Sequence, residues 1–303
     1  MCSSLGKLLL LSALCLASVV LTAAHRPRRM VGGSLARDVP WHAFVRLGDT
    51  IFDGGFGGGA LISDRWILTA GRNVFVNKSR QTNKGQNYTI PRVYLGVSDR
   101  KLVDSSNEVL VEKVVLHPEF QKTCDWDNDL ALIKLKEPVE YSMTVMPIPL
   151  PERGEDLAEV VGTHGLVAGW GWGVHLTFAD RLKYLVLPVA KFEACQKEYN
   201  EGSGSLPVVD GRVFCTGPST FTENVCFGDG GGAFAVRDST TGRVYAAGIL
   251  SYDKTCTLRT HAVYMKLSAY LPWINSVMRE DSEVYADLRT KYFNKMYSLQ
   301  VPN

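Results

Sequence analysis

The residues best able to carry chemistry in this chain sit in three short runs and a set of cysteines. The runs are Thr69-Ala70-Gly71-Arg72, Asp127-Asn128-Asp129 and Cys226-Phe227-Gly228-Asp229-Gly230-Gly231-Gly232. Acyl transfer by a side-chain nucleophile needs three groups held together. A hydroxyl or thiol attacks, a histidine takes its proton, and a carboxylate orients the histidine. Asp129 can supply the carboxylate. Arg72 cannot supply the base, because a guanidinium stays charged and accepts no proton. Gly230 has no side chain at all. The histidines (His25, His42, His117, His164, His175 and His261) stand elsewhere and read as ordinary surface or half-buried residues. No metal-ligand spacing, phosphate loop or nucleotide fingerprint occurs, so no metal and no cofactor are implied.

The cysteines bear on compartment. Cys2 and Cys15 fall within the first 24 residues, which read as a secretory signal. Lys7 precedes the apolar run Leu8–Leu21, and Thr22, Ala23 and Ala24 offer a small-residue cleavage site. A membrane anchor is the alternative, but the run is short for a bilayer. Arg26-Pro27-Arg28-Arg29 reads as a processing site, with cleavage after Arg29 freeing an amino terminus at Met30; a solvated linker is the plainer reading. Export favours disulfides among Cys124, Cys195, Cys215, Cys226 and Cys256. Five is odd, so at least one thiol is left over or pairs between chains. Spacing alone does not fix the connectivity. Asn77-Lys78-Ser79 and Asn87-Tyr88-Thr89 are glycosylation sequons in a polar, loop-like stretch. A secreted, extracellular protein is expected.

The elements that would position these residues are mostly strands. The chain has 303 residues, 46% of them apolar and 21% charged, with a formal net charge of +2. That length allows one or two domains. That balance argues against a nucleic-acid binder and against a disordered chain. Short β-rich runs cover His42–Leu47, Ala60–Thr69, Val93–Leu95, Leu130–Leu135, Leu182–Val189, Tyr245–Ser251 and Ala262–Leu267, separated by Gly, Pro, Asn and Asp clusters. Many short strands with frequent turns predict an antiparallel barrel or sandwich. One helix is expected near the end, from about Tyr270. Two halves are expected, before and after Pro147–Pro151. Beyond Met278, Val284, Leu288, Tyr292 and Met296 recur at helical spacing. A helical tail packed on the protein's own surface is expected, with a partner contact as the alternative.

Taken in order, several runs resemble the trypsin-like serine protease family. They are Met30-Val31-Gly32-Gly33, Pro40-Trp41, Gly58-Gly59-Ala60-Leu61-Ile62, Trp66-Ile67-Leu68-Thr69-Ala70, Asp127-Asn128-Asp129-Leu130-Ala131-Leu132, Gly169-Trp170-Gly171 and the Cys226–Gly232 run. The resemblance spans roughly Met30 to Met278. It implies an all-β fold: a trypsin-like double antiparallel β-barrel, six strands each, with a C-terminal helix and the site between the barrels. The implied divisions are 1–24 signal, 25–29 basic pro-segment, 30–278 protease-like domain and 279–303 tail. It also places Arg72 at the histidine position, Asp129 at the aspartate and Gly230 at the serine. Loss of a triad histidine or serine lowers turnover by on the order of a millionfold. The resemblance therefore implies a serine protease homologue that does not hydrolyse peptides, with an Arg72–Asp129 ion pair in place of the triad. Asp229 is implied to pair with the freed amino terminus at Met30. Asn224 falls at the pocket floor, Ser251-Tyr252-Asp253 replaces a Ser-Trp-Gly wall, and Ala262 replaces a glycine; together these should narrow or fill the pocket. By family position Cys195 pairs with Cys215 and Cys226 with Cys256. Two family pairs are missing, at Gly57 with Asn73 and at Gly165 with Val236. Pro149 stands where a cysteine would tie the body to an upstream chain. Cys124 is then the odd thiol, free or bridging two chains.

A narrower resemblance, to the haptoglobin family, rests on Asn73–Ser79, Val111–Pro118, Leu182–Ala190, Gly232–Val236 and Gly248–Cys256. It implies a plasma glycoprotein of the acute phase that captures free haemoglobin αβ dimers and limits haem-driven oxidative damage. With no upstream complement-control module or linking cysteine, the chain resembles the shorter members found in fish. A scavenger receptor is implied to contact the segment Val111–Phe120, through residues such as Val111, Lys113, His117 and Phe120; its plain reading is a strand and turn. The resemblance implies neither a nucleic-acid nor a membrane partner. The alternative is another inactive homologue that modulates protease cascades or binds microbial surfaces. An active hydrolase using unconventional groups is opposed by Arg72 and Gly230.

Overall fold

The structure is a computed structural model. It describes residues 33–36, 39–77, 87–152, 154–173, 177–200, 209–217, 224–253, 256–257 and 259–281. The signal segment, Arg29, Met30 and the tail positions Val284, Leu288, Tyr292 and Met296 lie outside the described residues.

The first sheet contains β2 (His42–Arg46), β3 (Phe56–Leu61), β4 (Trp66–Thr69), β5 (Arg92–Tyr94), β6 (Glu108–Val109), β7 (Val111–Leu116) and β8 (Ala131–Leu135). Their order is β6-β5-β2-β3-β4-β8-β7, all neighbours antiparallel. The two end strands, β6 and β7, are contiguous in the chain across Leu110. The sheet therefore curls until its ends meet in one bent strand, which closes a barrel and removes the exposed edges. Ala60–Thr69, which reads as one β-rich run in the sequence, is a hairpin. Ile62 N–H donates to Trp66 O at 2.9 Å, and Ala60 pairs with Leu68.

The second sheet contains β1 (Ser34–Leu35), β9 (His164–Gly169), β10 (Lys183–Pro188), β11 (Val213–Thr216), β12 (Ala233–Arg237), β13 (Val244–Asp253) and β14 (Ala262–Lys266). Their order is β1-β10-β9-β12-β13-β14-β11. A bridge between Val189 and Thr216, with Ala190 N–H donating to Cys215 O, brings the end of β10 to β11 and closes this barrel too. The division near Pro147–Pro151 holds except at the start of the chain. There β1 crosses over, pairing Ser34 with Tyr184.

Two α-helices complete the described residues: α1 (Phe192–Asn200) and α2 (267–281). On α1, Cys195 and Tyr199 face inward four residues apart, a narrow apolar stripe. On α2, Tyr270 and Ile274 are buried and Trp273, Val277 and Met278 pack beside them, a wider stripe at helical spacing. This cluster also takes in Trp66, Leu68, Leu130 and Leu132 of the first half, so α2 is packed into both halves. An ionic clasp fixes its end. The Lys134 ammonium, almost fully buried, lies 2.9 Å from both Asp281 and Glu112, and Lys113 reaches Asp281 at 2.8 Å. Two disulfides are formed: Cys195–Cys215 ties α1 to β11, and Cys226–Cys256 ties the glycine-rich turn to the segment after β13.

Candidate functional site

β4 ends at Thr69, and a 3-10 turn at Gly71–Val74 carries Arg72 outward from it. Asp129 lies just before β8 and is fully buried. Its Oδ1 accepts the Arg72 backbone N–H at 2.8 Å, and its Oδ2 accepts the Ser251 hydroxyl at 2.7 Å. The Arg72 Nε stands 3.6 Å from the same Oδ2. The guanidinium lies over the Trp126 ring, 4.8 Å from its centre. A cation over an indole face is attracted by the ring quadrupole. The Asp129 carboxylate thus seats an arginine.

The loop that brings Trp126 and Asp129 to this place has an unusual backbone. Gln121, Trp126 and Asn128 have φ of 49°, 63° and 50°, a region that side chains other than glycine rarely enter. Contacts from the second half hold it. Arg212 donates to Asn128 Oδ1 at 2.8 Å and lies 3.0 Å from Asp127. The Tyr270 hydroxyl donates to Asn128 Oδ1 at 3.1 Å, and Asn128 Nδ2 donates to Glu119 O at 3.1 Å.

Gly230 faces the arginine. A Cβ on Gly230 would lie 2.7 Å from Arg72 Nη2, so the guanidinium already holds the space that a side chain there would enter. The Gly230 carbonyl accepts two hydrogen bonds from the first half, from Gly58 N–H at 2.9 Å and from Asn73 Nδ2 at 2.8 Å. Asn73 Nδ2 also donates to Thr69 Oγ1 at 3.1 Å. A Cβ on Gly57 would meet that amide at 2.4 Å, so the Asn73 side chain fills the space between the two positions. At the other cysteine-free pair, Val236 is the direct register partner of Gly165, and the Phe234 ring covers Gly165 so closely that a Cβ would lie 2.3 Å from it. Asp229 is buried under the turn. Its carboxylate accepts Gly171 N–H at 2.7 Å and Cys226 N–H at 2.9 Å.

A cleft of about 260 Å³ opens beside Arg72 and Gly230, with Phe56, Trp126, Phe227, Tyr252 and the Cys226–Cys256 disulfide among its walls. Asn224 and Ala262 are buried and outside this lining. The Asn224 amide donates to Thr257 O at 2.8 Å and Thr260 O at 3.0 Å. Tyr252 is buried edge-on against Tyr199, and burial pushes its phenol well above the usual range. Of Asn224, Tyr252 and Ala262, Tyr252 alone lines the cleft. Trp126 and Phe227 were not singled out by the sequence; their signal is position, Trp126 just before the Asp127–Asp129 run and Phe227 within the Cys226–Gly232 run.

Other expected residues lie away from the cleft. Cys124 is half-buried and outside the disulfides. Asn77 and Asn87 are exposed. Val111–Leu116 is strand β7. His117 sits against α2, 4.8 Å from Trp273 and 5.4 Å from Tyr270, and Phe120 stacks on Phe75 at 5.5 Å. Among the described residues, no helix is long and apolar enough to cross a membrane.

Comparison with known proteins extends these observations. The trypsin family model matches residues 30–274. Haptoglobin of Canis lupus familiaris is 37% identical over 265 residues, covering 83% of this chain and 74% of that protein. Haptoglobin of Homo sapiens is 36% identical over 272 residues, covering 85% of this chain and 62% of that protein. Haptoglobin of Mesocricetus auratus is 35% identical over 267 residues, covering 84% and 71%. The chain thus spans less than two thirds of the human relative and nearly three quarters of the canine one. On this family match, on relatives 35% to 37% identical, and on the two closed antiparallel barrels, the chain belongs to the trypsin family and, within it, to the haptoglobins.

Proposed function

We propose that this chain is a secreted, non-catalytic haptoglobin that captures free haemoglobin αβ dimers and so limits haem-driven oxidation. The observation that carries the reading is the arginine at the centre of the cleft. Arg72 holds the space above Gly230, is seated by Asp129 and is stacked on Trp126. A guanidinium cannot act as general base, and glycine offers no nucleophile. What remains is a rigid scaffold that presents loops, and the haptoglobin relatives point to haemoglobin as what those loops grip.

On this reading the signal segment directs export, cleavage after Arg29 frees Met30, and the new amino terminus pairs with Asp229. Asn77 and Asn87 carry glycans. Cys124 is the odd thiol of the exported chain. A scavenger receptor would read the β7 segment chiefly through Lys113, which is the more exposed member although its ammonium also reaches Asp281, while His117 and Phe120 pack against Trp273 and Phe75.

The test is to mix the processed protein with oxygenated haemoglobin and separate the mixture by size-exclusion chromatography. A stable complex with haemoglobin dimers is expected. No complex at micromolar concentration sinks the reading. A fluorophosphonate probe should leave the same protein unlabelled; labelling would show a reactive nucleophile and overturn the non-catalytic assignment.

A further inference from the structure

One end of the first barrel holds an apolar groove of about 390 Å³ that shares no residue with the Arg72 cleft. Val109, Leu110, Pro138, Val139 and Val145 line it, together with Glu108, Glu137 and Glu140. Its walls are held by the backbone. Lys136 N–H donates to Leu110 O at 2.8 Å, Val139 N–H to Asp64 O at 2.9 Å and Ser142 N–H to Val145 O at 2.8 Å. Leu110 is 61% exposed, an aliphatic side chain whose covering would be favourable. Arg92 holds Glu108 at 2.8 Å. The Glu137 and Glu140 carboxylates are exposed and have no ion pair or hydrogen bond among the described residues. The groove thus joins apolar surface to two unpaired negative charges, and it fits an apolar segment that carries cations.

Helix α2 runs toward this groove. Near its start the Tyr270 hydroxyl meets Asn128 and the ring faces His117. At its end Asp281 reaches Lys113 and Lys134, which are register partners on β7 and β8. Val111 and Leu135 pair next along the same strands, and Leu110 and Glu137 of the groove follow within two residues. Glu137 is three residues beyond Lys134, about 10 Å of strand. The sequence continues past Asp281 for the 22 residues 282–303. Even at a helical rise that length spans about 33 Å, so reach is ample. Its chemistry is complementary. Tyr292 and Met296 are apolar, Lys291 and Lys295 are basic, and no acidic side chain follows Asp287. Both pairs are four residues apart and adjacent in sequence, so they form neighbouring stripes at helical spacing.

We propose that this groove seats the chain's own tail. Tyr292 and Met296 enter between Leu110 and Val139, and Lys291 and Lys295 pair with Glu137 and Glu140. Apolar burial supplies most of the gain, and the exposed ion pairs fix which residues meet. The inference rests on the groove and the course of α2, and stands or falls separately from haemoglobin binding.

The experiment mixes equal amounts of the full, unaltered chain in unlabelled and heavy-nitrogen-labelled form. A carbodiimide then joins carboxylates to amines already in contact, and peptide mass spectrometry maps the links. Links from Lys291 or Lys295 to Glu137 or Glu140 are expected, each within a light chain or within a heavy one. Links of mixed mass would show that a second copy fills the groove, and overturn the proposal. Tail lysines that link elsewhere, or not at all, also overturn it. Charge reversal gives an independent readout. In Glu137→Lys with Glu140→Lys, the backbone amides of residues 288–298 should exchange hydrogen at least about threefold faster than in the parent, as the loss of two exposed ion pairs implies. An unchanged rate overturns the proposal. The link map needs no variant, so it decides the matter even if the charge-reversed chain does not fold.

Discussion

Removing the Asp129 carboxylate should unfold this protein more readily than almost any other single side-chain truncation near the cleft. In Asp129→Ala the Arg72 backbone N–H loses its acceptor at 2.8 Å, the Ser251 hydroxyl loses its acceptor at 2.7 Å, and the guanidinium loses its counterion. Removing one partner of a buried ion pair costs about 3–5 kcal/mol, chiefly because the other charge is left uncompensated. The Arg72 side chain is 16% exposed and can recover a little water, which favours the lower end of that range. For a domain of this size each kcal/mol moves Tm by about 2–4 °C, so a fall of about 6–12 °C is expected. Asp129→Asn keeps an oxygen for the Arg72 amide and sets an NH2 against a hydroxyl that can accept, so it should cost only about 1–2 kcal/mol.

A double-mutant cycle separates the ion pair from the packing. Arg72→Met removes the cation that Asp129→Ala strands, so the double variant should be more stable than the sum of the singles by about 1–3 kcal/mol. Urea unfolding of the four proteins, followed by far-UV circular dichroism, gives each value. The reasoning is refuted if Asp129→Ala lies within about 1 kcal/mol of the parent, or if the two substitutions add.

Three further outcomes are expected. Burial lowers His42 from its ordinary 6.5 to about 3. The unfolded chain takes up a proton below 6.5 that the folded protein refuses, so stability present at neutral pH is lost as pH falls toward 3, by up to about 1.4 kcal/mol per unit. Urea unfolding at pH 7 and pH 5 should show a loss about 2 kcal/mol smaller in His42→Gln than in the parent, and an unchanged loss would contradict the burial. Replacing Cys226 and Cys256 by serine opens a loop of sequence separation 30 and should cost about 3–4 kcal/mol in the same assay. Gly165→Ala forces a methyl to 2.3 Å from a Phe234 ring held between Phe214 and Tyr264, so a loss of about 1–3 kcal/mol is expected, and an unaltered Tm would show that the ring can give way.

The fold was readable where strands carry dense apolar runs. β8 is buried at all five residues, and its run stands out in the sequence. Helix α1 was not readable, because its fully buried stripe is only Cys195 and Tyr199, with Phe192 packed beside it, and most of the remaining residues are polar. The hairpin within Ala60–Thr69 was hidden because apolar residues flank its turn closely on both sides. At the site, the identities of Arg72, Asp129 and Gly230 follow from ordered runs, but the way they fit together does not. Trp126 reaches Arg72 through a loop with three side-chain-bearing residues at positive φ, a shape with no periodicity to read. Asn73 shows the same limit more sharply. The sequence registers a missing cysteine there. The amide that stands in its place donates to Gly230 O across 157 residues and joins the two barrels at the cleft. The absence of a cysteine that the resemblance leads one to expect is visible in one dimension. The hydrogen bond that took over its space depends on Gly57 having no side chain and on the first barrel meeting the second at Gly58, and both conditions exist only in the folded chain.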